Sequence, residues 1–240
     1  GAKISFMSPS SCPSEISVKI QNCSGLLANL ESRVAVILTH PWGPLGGCMH
    51  DSVITTLSRF FQQYAHMTTL RFDFAGSQIG SGSYQVQQVC DAAKYLREDI
   101  SNPPQFLLLI GYSYGSLIAA SASTQIPNCI GCISLAPPWS VQHWLLMFHS
   151  SFHFEQSRLR RNFPRLYVMG DCDNFTSEET FRKTVDKIPN STCEVLKNCN
   201  HFFTGRKQEL LIIIQAWLLT SYKEAEGQLS ALGQADLSRY

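Results

Sequence analysis

The stretch Phe106-Leu107-Leu108-Leu109-Ile110-Gly111-Tyr112-Ser113-Tyr114-Gly115-Ser116 is an apolar run that breaks into Gly-x-Ser-x-Gly and continues into the small-residue-rich segment 116–123. The apolar run reads as a buried strand and the segment after it as a helix packed closely against that strand. Gly111 and Gly115 remove side chains where strand, turn and helix crowd together, so Ser113 projects its hydroxyl from the end of the strand. A serine presented on such a turn is a candidate nucleophile.

Outward from this point, short β-branched or aliphatic runs alternate with longer segments of helical spacing. The runs predict strands over residues 16–20, 34–38, 69–72, 106–110, 130–135, 166–169 and 193–196. Between them, Val53, Ile54, Leu57, Phe60, Phe61 and Tyr64 form one apolar helical face, and Val86, Val89, Ala93, Leu96 and Ile100 form another. Both faces need a sheet to cover them. The alternation predicts an α/β chain of three layers, with a mostly parallel central sheet and helices on both faces.

Behind Pro137-Pro138, aromatics and histidines mix with aliphatics, which predicts a crossover helix with at most a small cap within residues 137–160. A strong final helix is expected over 206–222, followed by an extension, 223–240, of uncertain order. No internal repeat or low-complexity linker divides the chain, so residues 1–240 read as one domain.

Composition narrows the function classes. Among 240 residues, 44% are hydrophobic and 15% charged, enough to bury a sizeable core. Nineteen basic against eighteen acidic residues leave a net charge of +1, so no overall field gathers nucleic acid or an anionic membrane. The longest apolar runs fall far short of the roughly 20 residues of a membrane span. The first residues carry neither a basic leader nor a continuous apolar targeting segment, so the expected location is cytoplasmic. Nine cysteines are spread from Cys12 to Cys199, and Cys129 and Cys132 form a C-x-x-C with no second pair to complete a zinc site; buried thiols are the favoured reading.

A serine hydroxyl is a weak nucleophile near neutral pH and needs an imidazole to take its proton, itself oriented by an acceptor. The predicted strand 166–169 runs into Gly170-Asp171-Cys172-Asp173, and strand 193–196 runs into Asn198-Cys199-Asn200-His201. His201, in a loop between a strand and a helix, is the candidate base. Two acids compete to orient it. Asp173 is preferred because the turn after Gly170 carries it towards His201, and Asp171 is left to accept backbone hydrogen bonds within the turn.

Negative charge on a tetrahedral intermediate needs two amide donors. The backbone N–H of Tyr114 supplies one and that of Trp42, in His40-Pro41-Trp42-Gly43-Pro44-Leu45-Gly46-Gly47, the other; Pro41 has no N–H to offer. His40 suits a loop-organising hydrogen bond. The glycines of Gly76-Ser77-Gln78-Ile79-Gly80-Ser81-Gly82 match neither a P-loop nor a dinucleotide fingerprint, and a structural turn beside the site is expected, braced by Arg71 and Asp73. Tyr112, Trp139, Trp144 and Phe202 are candidates for a pocket wall.

These features, in this order along most of the chain, resemble the α/β-hydrolase superfamily, and within it small, lid-poor serine esterases and thioesterases. The resemblance rests on the His40-Pro41 loop with Gly46-Gly47, Arg71-Phe72-Asp73-Phe74 with its glycine-rich turn, the Gly111 to Gly115 elbow, Gly170 to Asp173, and His201-Phe202-Phe203. The chain departs from that pattern at Trp42-Gly43-Pro44, where His-Pro is common, and at Asn200, where an acid is common.

The resemblance implies a mostly parallel sheet whose second strand is antiparallel, and cleavage of small esters or acyl thioesters with an apolar acyl group. It carries over Ser113 as nucleophile, Asp173 as acid and His201 as base, with the amides of Trp42 and Tyr114 as the oxyanion hole. No metal or organic cofactor is required for that chemistry. A noncatalytic receptor or scaffold on the same fold, or a serine peptidase or amidase, is the competing expectation. Haloalkane or epoxide hydrolysis would need a carboxylate at the elbow, where this chain has Ser113.

Overall fold

Apolar runs in the middle of the chain become strands buried on both faces, as parallel strands sandwiched between helices must be. The computed structural model describes residues 13–222. Among these residues eight strands form one sheet: β1 (Ile16–Ile20), β2 (Cys23–Ala28), β3 (Val34–Thr39), β4 (Thr68–Phe72), β5 (Phe106–Tyr112), β6 (Cys129–Leu135), β7 (Arg165–Gly170) and β8 (Ser191–Leu196), in the order β1-β2-β4-β3-β5-β6-β7-β8. β2 runs antiparallel to both neighbours, and all other adjacent pairs are parallel. Seven strands were legible in the sequence. β2 was not, because its Cys23-Ser24-Gly25 start carries no β-branched run.

Among the described residues, seven α-helices cover the sheet: α1 (Ser52–Gln63), α2 (Ser83–Glu98), α3 (Tyr114–Ala122), α4 (Gln142–Leu145), α5 (Ser150–Arg158), α6 (Glu178–Val185) and α7 (Lys207–Ser221). The core is split by the sheet. Leu57, Phe60 and Phe61 of α1 and Leu211, Ile214 and Trp217 of α7 pack on one face. Val89 and Leu96 of α2, Ile118 of α3 and Phe181 of α6 pack on the other. The result is the three-layer α/β architecture.

Strand order reverses around β3. The chain leaves β3 through α1 to β4 on one side, then crosses through α2 to β5 on the other. Loops leaving the carboxyl ends of β3 and β5 therefore diverge and open a crevice, the place where open α/β sheets take ligands. The β6 to β7 connection holds two short helices, α4 and α5, where a crossover helix with at most a small cap was expected. The expected extension at 223–240 and Cys12 lie outside the described residues. No helix among the described residues is long and apolar enough to cross a membrane.

Candidate active site

Ser113 sits between β5 and α3 with φ 54° and ψ −122°, a positive-φ conformation that non-glycine residues adopt rarely. Two flanking glycines make the turn possible. A Cβ on Gly115 would lie 2.5 Å from the Thr39 carbonyl oxygen and 2.6 Å from that of His40, and one on Gly111 would collide with the Gly115 backbone. The turn is held from inside: Ser113 N–H donates to the Leu135 carbonyl at 2.8 Å, and Ser116 Oγ donates to the Ser113 carbonyl at 2.6 Å.

Loops after β7 and β8 bring the other two groups to the same edge. His201 Nε2 lies 3.0 Å from Ser113 Oγ, and His201 Nδ1 lies 2.7 Å from Asp173 Oδ2. The Asp173 side chain is 1% exposed and that of His201 is 5% exposed. The remaining carboxylate oxygen, Asp173 Oδ1, accepts the N–H groups of Phe175 at 2.7 Å and Thr176 at 3.2 Å. The imidazole is fixed from behind as well, because the Tyr112 hydroxyl donates to the His201 carbonyl at 3.1 Å and the Phe175 ring centroid lies 4.5 Å from that of His201. Burial pushes the Tyr112 phenol far above its ordinary range, which keeps it a donor.

Asp171 does something else. Its Oδ1 accepts the Cys199 N–H at 3.2 Å, joining the loop after β7 to the one after β8. Asn200 Oδ1 accepts the N–H groups of Phe202 and Thr204, both at 3.1 Å, and so shapes the turn that presents His201.

The loop after β3 curls over the elbow. Trp42 N–H finds no acceptor among the described residues, and Tyr114, as the first residue of α3, has no intrahelical acceptor for its own N–H. The Trp42 carbonyl is turned away, accepting from Leu45 and Gly47 N–H at 3.1 Å each. His40 is 1% exposed; its Nε2 accepts the Phe74 N–H at 3.0 Å and its Nδ1 lies 2.5 Å from the Pro41 carbonyl. That pairing requires the proton on Nδ1. Burial also holds the imidazole below its ordinary pKa, so His40 is a neutral strut of the loop. Asp73 Oδ1 accepts the Met49 N–H at 2.6 Å and Arg71 Nη1 donates to the Met49 carbonyl at 2.7 Å, so these two residues brace the loop ahead of α1. Glu15, 3.0 Å from Arg71 Nε, holds the guanidinium in place.

Ser113 and His201 lie in a cleft of about 180 Å³, walled by Trp42, Leu45, Tyr112, Leu145, Phe175 and Phe202. Of the four sequence candidates for the wall, Tyr112 and Phe202 are there. Trp139 and Trp144 are corrections. Trp139 is 6% exposed, its ring packs on Tyr167 and Phe181 in the core, and its backbone N–H donates to Thr176 Oγ1 at 2.8 Å. Trp144 is 81% exposed on α4, which buries none of its residues. Phe175 was missed. Its signal was its position two residues after the acid, in the loop that any orienting carboxylate must occupy.

Among the described residues that line this cleft, Asp51 is the sole carboxylate and none is a lysine or arginine. Cys129 and Cys132 are buried, and burial pushes both thiols up, Cys132 to about 12, so both stay protonated.

No family model matches the chain. An uncharacterized protein of Schizosaccharomyces pombe is 28% identical over 207 residues, covering 80% of this chain and 88% of that one. An α/β serine hydrolase homologue from Coxiella burnetii superposes with a TM-score of 0.66 at 23% identity, over 86% of this chain and 96% of that one. A lidless α/β serine hydrolase from Xanthomonas campestris superposes with a TM-score of 0.64 at 19% identity, over 88% and 94%. The chain has the α/β-hydrolase fold.

Proposed function

We propose that this chain is a serine hydrolase that cleaves small, uncharged carboxylic esters or acyl thioesters with an apolar acyl group. One observation carries the reading: an unbroken hydrogen-bonded path runs from Asp173 Oδ2 through His201 to Ser113 Oγ, and ends in an apolar cleft. The carboxylate on Nδ1 holds that nitrogen protonated, leaving Nε2 free to accept the serine proton.

In the first half of the cycle, Ser113 Oγ bonds to the acyl carbon as its proton passes to His201 Nε2. The carbonyl electron pair moves onto oxygen, where the Trp42 and Tyr114 amides stabilise it. Collapse breaks the bond to the leaving alcohol or thiol, which takes the proton from Nε2. Water then adds to the acyl-enzyme with His201 accepting its proton, and the second collapse releases the acid and returns the proton to Ser113 Oγ. Asp173 stays ionised throughout.

The cleft supports the substrate class. Its volume suits a short acyl group, and its lining offers no cation to bind a carboxylate or phosphate on the substrate. The test is a panel of p-nitrophenyl esters of rising acyl length beside acyl thioesters, with fluorophosphonate labelling of the same samples. Turnover and labelling are both expected, and Ser113→Ala should abolish both. Undiminished turnover by that variant would overturn the proposal.

A further inference from the structure

The glycine-rich loop between β4 and α2 fits no nucleotide motif, yet one side chain from it reaches the loop that carries Trp42. Gln78 is 8% exposed. Its Oε1 accepts the Gly43 N–H at 2.8 Å, and its backbone carbonyl accepts Trp42 Nε1–H at 3.1 Å. One residue therefore holds Trp42 twice, through the N–H of the peptide that follows it and through its indole. The fit is close: a Cβ on Gly43 would lie 2.5 Å from Gln78 Nε2.

Gln78 is itself tied to the elbow. Gln85 of α2 donates through Nε2 to the Ser77 carbonyl at 3.0 Å, and its Oε1 accepts the Tyr114 hydroxyl at 3.3 Å. Gln88, one turn further on, donates to the Ala75 carbonyl at 3.1 Å. A chain of polar contacts thus runs from Tyr114 through Gln85 and the backbone of residues 77–78 to Trp42 and Gly43. It connects the two residues proposed to supply the oxyanion donors, which otherwise belong to loops on different strands.

We propose that Gln78 is a positioning residue that sets the Trp42 amide at the oxyanion site relative to Tyr114, an assignment that rests on the serine-hydrolase reading. The Trp42 N–H lies on the Pro41–Trp42 peptide, whose carbonyl is held by His40 Nδ1 at 2.5 Å, so its aim also depends on how Trp42 is held on the other side of its Cα. Acceptors from Gln78 on the Gly43 N–H and on the indole hold Trp42 through its following peptide and its side chain, which leaves the residue little freedom to swing its own N–H away. Loss of the Gln78 side-chain acceptor leaves the backbone carbonyl on the indole, and so the Trp42 wall, in place, and degrades a contact that matters most when charge develops on the substrate oxygen.

The experiment compares wild type, Gln78→Ala and Gln78→Met on a short p-nitrophenyl ester, with active sites counted by fluorophosphonate titration and thermal midpoints measured. Methionine fills the space of glutamine without an acceptor. Both variants should lose about 10- to 100-fold in kcat with KM nearly unchanged. An alkyl boronic acid, which forms a tetrahedral adduct with serine, should weaken in parallel with kcat/KM.

Wild-type kcat in Gln78→Met, or a loss confined to KM, would overturn the assignment while the hydrolase reading stands. Failure of both variants to fold would make Gln78 a determinant of stability and overturn it equally. An inactive, unlabelled wild type would overturn the hydrolase reading and this inference with it.

Discussion

Asp173→Asn tests the chemistry most sharply, because the surroundings dictate how the new amide must sit. In the native site Oδ1 accepts two backbone N–H groups, from Phe175 and Thr176, and Oδ2 faces His201 Nδ1 at 2.7 Å. Asparagine has one oxygen. If its NH2 turned towards the two backbone donors, three N–H groups would meet with no acceptor in a site that is 1% exposed, so the oxygen must stay with the backbone. The NH2 then faces Nδ1 and forces that nitrogen to accept, which moves the imidazole proton to Nε2. A protonated Nε2 opposite Ser113 Oγ cannot take the serine proton. The expected loss is about 10⁴-fold in kcat, or about 5 kcal/mol in the barrier, with fold and substrate binding intact. Steady-state hydrolysis of p-nitrophenyl acetate, with far-ultraviolet circular dichroism as the folding control, reads it out. Activity within about tenfold of wild type would refute the tautomer argument. Asp171→Asn is the contrast: its oxygen binds the Cys199 N–H and never meets His201, so turnover should stay within about threefold.

Two further outcomes follow from the same geometry. His40 and His153 are buried, and burial holds both imidazoles below their ordinary pKa. The unfolded chain takes up their protons below about pH 6.5 while the folded chain resists, so stability should fall as pH drops through that value and level off above about pH 7.5. Thermal midpoints from pH 5 to 8 test this, with a smaller slope expected for His153→Gln; an unchanged midpoint across that range would refute it. Phe175→Ala should enlarge the cleft and move the optimum of kcat/KM towards longer acyl chains, and an unaltered length profile would show that Phe175 does not limit the acyl group.

Much of this protein was legible in one dimension, because the physics involved is local. A parallel strand buried on both faces must be continuously apolar, as in 106–110 and 166–169, and a helix that covers a sheet must repeat its apolar residues every third or fourth position, as α1 does. The elbow was legible for the same reason: Gly111 and Gly115 stand where the backbone allows no side chain. The order of Ser113, Asp173 and His201 followed from the strand ends that carry them. Where local signals ran out, so did the reading. β2 has no distinctive composition and exists because β1 and β4 each offer it an edge.

Side chains distant in sequence were settled only by packing. Trp139 and Trp144 have the same chemistry and lie five residues apart, yet one packs in the core and the other faces solvent, a difference made by Thr176, Tyr167 and Phe181. Gln78 carries no signal in a glycine-rich loop until the fold brings it against Gly43, 35 residues away. Periodicity and backbone sterics depend on neighbours along the chain and so determine elements and their order. Which polar groups meet across the carboxyl edge depends on distances that only the closed tertiary structure sets.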